Sequence, residues 1–330
     1  MFRLNRNDLV KNICHKLAPV KSEGAAYAPA NIALCKYWGK RDRELNLPAT
    51  PSLSISLGNL GTHTRISPNS DADMVLLDEH PAPPAFEDRL LKFLDLFREP
   101  GQYFKVETRN TIPTAAGLAS SASGFAALVL ALNDLAGWDL NSRELSVLAR
   151  IGSGSACRSI YDGFVLWRRG DRDDGLDSFA ERLDVEWPGL CIGVVNISHA
   201  QKSIGSTQAM NRTTETSLFY KVWPERVDGD IRGMLQALET HDFDDLGRIA
   251  ESNALAMHAT MIESWPPVLY WQPETVNTLH KVWALRQAGL SVYLTMDAGP
   301  NVKLLFLEEN IADVDKAFNG ITIIKPFGKI

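Results

Sequence analysis

A run of small residues at positions 113–124, Pro-Thr-Ala-Ala-Gly-Leu-Ala-Ser-Ser-Ala-Ser-Gly, leads directly into the apolar stretch 125–132. Glycines permit tight turns, and the hydroxyl and backbone N–H groups at a helix N-terminus bind anions. The run therefore predicts a phosphate-binding loop opening a helix. It has neither the Gly-Lys-Ser/Thr ending of a Walker loop nor a GxGxxG pattern, and a closely packed helix start is the alternative. The residues expected to contact phosphate are Gly117, Ala119, Ser120, Ser121 and Ser123.

Charged groups stand in three other clusters of the sequence. Arg158 ends a Gly-Ser-Gly-Ser-Ala-Cys-Arg segment, and its planar guanidinium matches a carboxylate or phosphate at two points. Lys36 and Lys40 flank an aromatic pair, and a lysine ammonium suits mobile phosphates. Asp297 follows the strand-like segment 290–295 and precedes Ala-Gly-Pro, where a carboxylate is placed to project into a cleft.

Each of these charged residues also has a simpler structural interpretation. Asp297 could close an Asx-turn or cap a helix, as aspartates near glycine commonly do. Arg158 could form a surface salt bridge, although its flanking residues are small and apolar rather than charged. The lysines could lie on a solvated face, although Tyr37 and Trp38 between them favour a partly enclosed wall.

Five ordered motifs together resemble the diphosphomevalonate decarboxylase family of the GHMP kinase superfamily. They lie at 31–42, 113–124, 152–159, 205–210 and 296–301, and the resemblance runs from about residue 25 to residue 307. Lys-Tyr-Trp-Gly-Lys combined with Gly-Ser-Gly-Ser-Ala-Cys-Arg is close to diagnostic within the superfamily. The resemblance implies ATP-dependent decarboxylation of 5-diphosphomevalonate to isopentenyl diphosphate, with Mg²⁺ accompanying the nucleotide and no metal ligand assigned to the chain.

The resemblance also implies a role for each cluster. Asp297 would orient or deprotonate the 3-hydroxyl, Arg158 would hold the substrate carboxylate, and Lys36 would lie near the catalytic centre. Ser120 and Ser121 would touch the ATP phosphates. The implied substrate-binding residues are Tyr37, Trp38, Gly39, Lys40, Ser153, Gly154, Ser155, Arg158, Ser206, Thr207 and Met210.

Two positions depart from the family pattern and keep other functions open. Met74 stands where the family usually has an arginine, and Ala209 where it usually has glycine. The first change would remove a diphosphate contact unless Arg65 replaces it, so a phosphomevalonate decarboxylase acting on the 5-monophosphate is the main alternative. A GHMP small-molecule kinase without decarboxylation, and a nucleotide sensor without catalysis, are disfavoured because Asp297 and Arg158 are both present.

Composition limits the classes of partner. With 34 basic and 40 acidic residues the net charge is −6, which disfavours general attraction to nucleic acid or an anionic membrane. No stretch reaches the roughly 20 apolar residues of a membrane helix. Four cysteines without metal-binding spacing indicate buried free thiols in a reducing compartment. We expect a cytoplasmic enzyme with a small-molecule substrate, and the resemblance adds a homodimer.

The order of elements that must position these residues predicts an α+β fold, because strands and helices do not alternate strictly. The resemblance makes this a GHMP kinase fold with two lobes, 1–188 and 189–330, around a deep cleft. Residues 1–21 predict a short helix docked on the body. Strands are predicted at 25–35, 52–57, 65–66, 74–77, 103–108, 163–167, 190–197 and 290–295. Helices are predicted at 86–98, from the phosphate loop to 137, and at 141–151, 204–216, 229–241, 244–261 and 275–288.

Overall fold

The structure is a computed structural model that describes residues 4–111, 120–198 and 202–328. Mixed helices and strands confirm the α+β prediction. The described helices are α1 (Arg6–Ile13), α2 (Pro84–Leu94), α3 (Ser120–Ala136), α4 (Ser142–Gly152), α5 (Ser206–Thr216), α6 (Trp223–Thr240), α7 (Phe243–Glu263), α8 (Pro273–Gln287) and α9 (Ile311–Ala317). Short 3₁₀ helices cover Gly154–Ile160, Phe219–Val222 and Glu308–Asn310.

Strands fall into two main sheets and one small hairpin. Their bounds are β1 (Gly24–Cys35), β2 (Lys40–Asp42), β3 (Leu47–Pro48), β4 (Ser52–Asn69), β5 (Met74–Leu77), β6 (His80–Pro81), β7 (Tyr103–Asn110), β8 (Phe164–Trp167), β9 (Ala180–Arg182), β10 (Leu190–Val195), β11 (Val292–Met296), β12 (Val302–Leu307) and β13 (Thr322–Ile324). In the described residues the first sheet has the order β6-β5-β7-β4-β8-β9, with β1 also paired to β4. The second sheet has the order β11-β12-β10-β13.

Strand β4 corrects the sequence-based assignment of two short strands. It is a single strand of 18 residues that pairs with β1, β7 and β8, each time antiparallel. Its first six residues are all buried rather than alternately exposed. Leu53 and Ile55 join the core formed with α6 and α7, whereas the intervening Ser52 bonds to Arg158. Both faces of this part of β4 are covered by other residues. The alternation of polar and apolar residues therefore does not mark one face as exposed to solvent.

Helix α1 docks on the body, as predicted. Leu9, Val10 and Leu17 are buried, and the backbone N–H of Leu17 donates to the carbonyl of Phe97 at 2.8 Å. Asn5 caps the helix by accepting from the N–H of Asp8 at 3.0 Å. The segment is therefore fixed by apolar burial at its core and hydrogen bonds at its ends.

Helix α3 lies directly on β1, where small residues allow a close approach. Ala126, Ala127 and Ala131 are buried along it, and a Cβ on Gly24 would stand 2.2 Å from the carbonyl oxygen of Ala131. This packing brings the first turn of α3, and therefore the end of the phosphate loop, over the first sheet.

Local signals explain where several helices begin and end. Asn141 and Glu144 form a capping box at the start of α4, which agrees with the predicted start of this helix at residue 141. Helix α6 begins at Trp223, six positions before the predicted start, because Pro224 is tolerated in a first turn. Gly289, with φ of +97°, follows the end of α8.

The apolar core continues between the two sheets. One cluster of buried side chains combines Ile32 and Trp38 of the N-terminal part with Ile192, Leu246 and Met257 of the C-terminal part. All four cysteines are buried and unpaired, as expected: Cys14, Cys35, Cys157 and Cys191. Among the described helices, none has both the length and the apolar character needed to cross a membrane.

Candidate active site

A cavity of about 790 Å³ collects most of the residues that the sequence singled out. Its wall includes Arg158, Asp297 and the first turn of α3. The predicted site residues that line it are Lys36, Tyr37, Trp38, Lys40, Ser121, Ser153, Gly154, Ser155, Arg158, Ser206, Thr207, Met210 and Asp297. Segments far apart in the sequence therefore meet in one cleft.

Asp297 is held between two lysines. Its Oδ1 accepts from Lys36 Nζ at 2.9 Å and its Oδ2 from Lys303 Nζ at 3.2 Å. The two lysines are 2% and 3% exposed, whereas the side chain of Asp297 is 41% exposed. The carboxylate thus opens to the cleft while both of its cationic partners lie behind it.

This arrangement keeps Asp297 ionised. Desolvation within the cleft would by itself raise the pKa of Asp297, but the charges and hydrogen bonds of Lys36 and Lys303 outweigh that effect and hold it far below its usual range. Burial lowers the pKa of Lys36, and Asp297 opposes that shift. With two cations for one carboxylate, the group keeps a positive excess that favours anionic ligands.

Neighbouring elements hold Asp297, Lys36 and Lys303 in place. Asp297 directly follows β11, and Lys303 lies on β12 opposite Thr295. The backbone N–H of Lys36 donates to Asn253 Oδ1 of α7 at 2.8 Å, and Lys36 Nζ also donates to the carbonyl of Ala33 at 2.7 Å.

His258 supports the backbone of the same turn. Its Nε2 lies 3.1 Å from the carbonyl oxygen of Asp297. Burial lowers the pKa of His258 to about 3, so the ring is neutral at physiological pH and donates to that carbonyl. His258 therefore acts on Asp297 through the main chain and adds no charge to the site.

Arg158 is a buried cation, 3% exposed, whose partners are neutral. It donates to Ser52 Oγ at 2.6 Å and to Asn31 Oδ1 at 3.2 Å, and its guanidinium lies 5.8 Å from the centre of the Trp167 ring. In the described part of the chain no carboxylate forms an ion pair with it. Arginine stays protonated, so the site holds a fixed positive charge without a fixed counter-ion.

Tyr37 and Trp38 form an aromatic wall beside that cation. The Tyr37 ring lies 4.7 Å from Trp167, centre to centre. Tyr37 Oη and Trp38 Nε1 are buried and have no hydrogen-bond partner among the described residues. A buried hydroxyl without a partner is costly, and Tyr37 lines the cleft, so its Oη suits a bound polar ligand.

Gly39, which the resemblance implies as a substrate-binding residue, is not among the residues that line the cleft. Its φ is +103°, and a Cβ there would lie 1.7 Å from Tyr220 Oη. The same tyrosine donates to the carbonyl of Trp38 at 3.3 Å, and Trp223 Nε1 donates to it at 3.0 Å. Gly39 therefore allows the 3₁₀ helix 219–222 to pack closely behind the Lys36–Lys40 segment.

Lys40 lines the same cleft. Its Nζ donates to Asn46 Oδ1 at 2.6 Å, and Asn46 in turn donates to the carbonyls of Arg150 and Ile151, each at 2.9 Å. Burial, followed by the charges of neighbouring arginines, lowers the pKa of Lys40 to about 8.

The phosphate loop falls largely outside the described residues, including Gly117 and Ala119. Of Ser120 only the backbone, at the start of α3, is described. Ser121 lines the cleft, whereas Ser123 is buried and its Oγ lies 2.7 Å from Thr62 Oγ1. Ser123 thus joins the helix to β4 instead of facing the cavity.

The departure at Met74 lies away from this cleft. Met74 is exposed on β5, and Arg65, the suggested replacement, is exposed and paired with Glu23 at 3.6 Å. Neither residue lines the cleft. The expectation that Met74 removes a contact from this site is therefore not supported by its position. Ala209, which precedes Met210 on α5, is fully buried.

Sequence reasoning missed several residues of the site. Lys303 was visible only as a lysine inside the apolar segment 302–307, a position where a buried charge needs a partner. Asn31 and Asn46 offered no signal of their own. Each bridges polar groups from distant segments, which spacing along the chain does not reveal.

Comparison with known proteins gives the same picture along nearly the whole chain. Residues 28–180 match the model for the diphosphomevalonate decarboxylase-like N-terminal domain. Residues 191–325 match that for the mevalonate 5-diphosphate decarboxylase C-terminal domain. Diphosphomevalonate decarboxylase of Aspergillus fumigatus is 36% identical, over 89% of this chain and 80% of that protein. The Saccharomyces cerevisiae protein is 35% identical, over 86% and 77%.

Solved structures of similar proteins include complexes with ligands. Mevalonate diphosphate decarboxylase from Staphylococcus aureus has a TM-score of 0.87 at 37% identity, covering 92% of this chain and 95% of that one. MDDEF in complex with MVAPP, AMPPCP and magnesium has a TM-score of 0.86 at 39% identity, covering 91% and 95%.

Proposed function

This chain belongs to the diphosphomevalonate decarboxylase family of the GHMP kinase superfamily, and from that premise we propose how its residues divide the reaction. The protein is an ATP-dependent enzyme that converts (R)-5-diphosphomevalonate to isopentenyl diphosphate, ADP, phosphate and CO₂ in the mevalonate pathway. ATP and Mg²⁺ serve the reaction. The observation that carries our assignment of roles is that the same cavity is lined by a cleft-facing carboxylate, Asp297, and by a buried arginine without a counter-ion, Arg158.

We propose that Asp297 orients the substrate's 3-hydroxyl by accepting its hydrogen bond. With its pKa held so low, the carboxylate is a weak base, so it would not remove the proton before phosphoryl transfer begins. The hydroxyl oxygen forms a bond to the γ-phosphorus while the bond to ADP breaks, and the proton passes to Asp297 as the new O–P bond forms and makes it acidic. Lys36 and Lys303 stabilise the negative charge gathered around this oxygen.

Arg158 would hold the substrate carboxylate during the second half of the reaction. The C1–C2 bond breaks to release CO₂, its electron pair forms the C2–C3 double bond, and the 3-phosphate leaves with the C3–O electrons. The positive charge of Arg158 stabilises the carboxylate in one orientation, and its neutral partners Ser52 and Asn31 leave that charge available.

The 5-diphosphate would lie toward Lys40, with Tyr37 Oη as a donor without another partner. Ser153, Ser155, Ser206 and Thr207 line the same cleft and would add hydroxyl contacts, with Met210 as an apolar contact. Ser121 would contact the nucleotide phosphates from the first turn of α3, where anions are favoured.

A second cavity of about 800 Å³ is our proposed position for the nucleoside. It is lined by residues 107–111, which lead directly into the phosphate loop, and by side chains of β4 and of the β5–β6 turn, including His63 and Glu79. A nucleoside there would reach the loop with its phosphates.

Two lobes around the cleft, 1–188 and 189–330, remain our proposal for the domain organisation. The strands β9 and β10 lie on either side of Pro188 and belong to different sheets, and the two matched models divide at 180 and 191. A cytoplasmic location remains an expectation based on the four free thiols.

We also propose a homodimer, with an exposed apolar cluster as its interface. Leu218, Phe219 and Val222 are exposed beside Trp265 and Leu269. Hydrogen bonds from Ser217 to Glu263 at 2.5 Å and from Trp265 N–H to Thr216 Oγ1 at 2.9 Å hold these segments together. We expect Trp265→Ser to shift sedimentation from dimer to monomer, and a wild-type protein that sediments as a monomer at micromolar concentration would contradict the proposal.

One assay tests the function against its alternatives. ATP consumption and CO₂ release are measured together with the 5-diphosphate and with the 5-monophosphate. We expect one CO₂ for each ATP and a higher kcat/KM for the 5-diphosphate. A preference for the 5-monophosphate would favour a phosphomevalonate decarboxylase, and ATP use without CO₂ would favour a kinase.

A further inference from the structure

Helix α1 lies outside the two segments that match the family models, yet it contributes a residue to the active-site cleft. The N-terminal model begins at residue 28, whereas α1 spans Arg6–Ile13. Arg6, in its first turn, lines the cavity together with Lys40 and Arg89. The element that carries Arg6 is thus an addition to the part of the chain that the family model describes.

The position of Arg6 is fixed by contacts on both sides. Its Nε donates to the carbonyl of Glu44 at 2.6 Å, which ties α1 to the turn between β2 and β3. Behind it, Leu9 and Val10 are buried. Lys16 Nζ donates to the carbonyl of Arg98 at 2.9 Å, which fixes the chain after the helix.

Arg6, Lys40 and Arg89 form a group of cations that no carboxylate neutralises among the described residues. Lys40 bonds to the amide oxygen of Asn46, and Arg89 donates to the carbonyl of Gly152 at 2.9 Å. The nearby cations that do have acidic partners are paired elsewhere, Arg43 with Glu215 and Lys92 with Asp88.

The three cations are close enough to act on one another. After burial, the charge of Arg6 is the largest influence that lowers the pKa of Lys40, and it also lowers that of Arg89. Like charges held together in a partly enclosed cleft repel one another, and a multiply charged anion between them removes that repulsion. Such a group suits a phosphate rather than a neutral or singly charged ligand.

We propose that Arg6, together with Arg89, binds the terminal phosphate of the 5-diphosphate and so determines the preference for diphosphate over monophosphate. The inference rests on the proposed function, in which Lys40 marks the end of the cleft that holds the diphosphate. A 5-monophosphate can satisfy Lys40 and Tyr37 but lacks the second phosphate that would reach Arg6. The guanidinium of Arg6 can present its two terminal nitrogens to that phosphate, because its Nε is the atom bonded to Glu44.

The test compares kcat/KM for the two substrates in Arg6→Gln and in a control, Lys11→Gln, which removes an exposed charge from the same helix. We expect Arg6→Gln to lower kcat/KM for the 5-diphosphate by about tenfold to a hundredfold, the usual effect of one charge-assisted contact. For the 5-monophosphate, kcat/KM of Arg6→Gln should stay within about twofold of the wild-type value, because this substrate does not contact Arg6. The control should leave both values unchanged.

Arg89→Gln serves as a second variant, because it leaves α1 and its contacts intact. It should also reduce the preference for the 5-diphosphate, and Arg6→Lys should retain part of it because the charge remains. Thermal unfolding of each variant shows whether the fold is preserved.

The role of Arg6 would be overturned by an unchanged ratio of the two kcat/KM values in Arg6→Gln, whether neither value changes, both fall equally or only KM for ATP rises. Failure of the proposed function is a distinct result, because it is seen in the wild-type protein itself, as no CO₂ from either substrate or as a preference for the 5-monophosphate.

Discussion

Asp297 shows how its partners determine what a carboxylate can do. Two buried lysines keep it charged, and the same lysines make it a poor proton acceptor. Its main contribution is then a fixed hydrogen bond to a hydroxyl that must point at the γ-phosphorus. Catalysis by orientation of this kind depends on the negative charge and the position of both oxygens.

The variant Asp297→Asn keeps the shape and removes the charge. We expect turnover to fall by about 10²- to 10⁴-fold, the range for a group that acts on the reacting proton, while nucleotide affinity stays near that of the wild type. Single-turnover kinetics and nucleotide titration measure the two effects. Asp245→Asn, which changes an exposed aspartate paired with Arg248, is the matched control. Turnover close to wild type in Asp297→Asn would remove Asp297 from the mechanism.

Lys40 should give the enzyme an alkaline limit. Burial and the charges of Arg6, Arg89 and Arg43 lower its pKa to about 8, so the free enzyme loses this cation as pH rises through that value. We expect kcat/KM for the 5-diphosphate to fall above about pH 8, because this parameter reports groups of the free enzyme.

Two variants identify the group responsible for that limit. Lys40→Met should have a low kcat/KM without the alkaline fall, and Arg6→Gln should move the fall to higher pH because one repelling cation is absent. An alkaline fall that persists unchanged in Lys40→Met would assign it to another group, such as Lys36.

At the residue scale, the sequence identified the groups that carry charge but not those that hold them. Lys36, Arg158 and Asp297 stand in motifs whose composition is unusual for a surface. Lys303 stands in ordinary strand sequence, and Asn31 begins the 31–42 motif without a role of its own in that motif. Each matters through a partner that the fold supplies: Arg158, 127 positions from Asn31, and Asp297, on the turn before the strand of Lys303. Contacts of this kind are products of the fold.

At the scale of elements, the Lys36–Lys40 segment depends on the 3₁₀ helix behind it. Gly39 has a φ of +103° and no room for a Cβ, because Tyr220 Oη would be 1.7 Å away. The carbonyl of Trp38 accepts hydrogen bonds from Tyr220 and Trp223, so the backbone between the two lysines is held from one side.

Gly39→Ala should therefore be more harmful than an alanine at another glycine with positive φ. Gly101→Ala is the matched control, because φ is +86° there and nothing lies within 4 Å of the added Cβ. Both variants bear a backbone penalty of about 1–2 kcal/mol, but only Gly39→Ala must displace Tyr220.

We expect Gly39→Ala to lower the free energy of unfolding further and to raise KM for the 5-diphosphate, as measured by denaturant titration and steady-state kinetics. Adding Tyr220→Ala should restore part of the loss at Gly39 and none at Gly101, which a double-mutant cycle would show. Equal effects of the two glycine variants would mean that Tyr220 gives way without cost.

The elements themselves were predicted well where a local signal exists and less well where burial replaces it. The capping box at Asn141 fixes the start of α4, and Gly289 the end of α8. Two short strands, 52–57 and 65–66, are predicted where β4 is continuous, and Gly58 and Gly61 lie in the segment between them. A Cβ at Gly61 would stand 2.1 Å from the carbonyl of Ala28, so this glycine marks a close contact between strands and not a turn.

At the scale of the whole molecule, the cleft unites segments from both ends of the chain. Asp297 follows strand β11 of the second sheet, and Arg158 lies on the 3₁₀ helix 154–160. Arg6 comes from a helix outside the matched family segments. Motif order predicted that such residues meet. It did not predict that α1 reaches the cleft, because an amphipathic helix of eight residues indicates docking but not the surface on which it docks.

The burial of Cys14 at the end of α1 makes this docking accessible to chemical labelling. Burial raises the pKa of the Cys14 thiol to about 11, and the side chain is 7% exposed, whereas Cys35, Cys157 and Cys191 are fully buried. A thiol-reactive reagent such as an aromatic disulfide should therefore modify Cys14 first, at a rate set by how often α1 detaches from the body of the protein.

If Arg6 holds the terminal phosphate, saturating 5-diphosphomevalonate should slow that first labelling step and the 5-monophosphate should not, since only the former binds across α1 and the cleft. Cys14→Ser should lose the first step and keep the slow ones. A first step insensitive to both substrates would mean that α1 opens independently of the ligand. The labelling rate of a single thiol, followed by absorbance, thus measures how strongly the bound substrate holds α1 against the body of the protein, although α1 lies away from the reacting carbon.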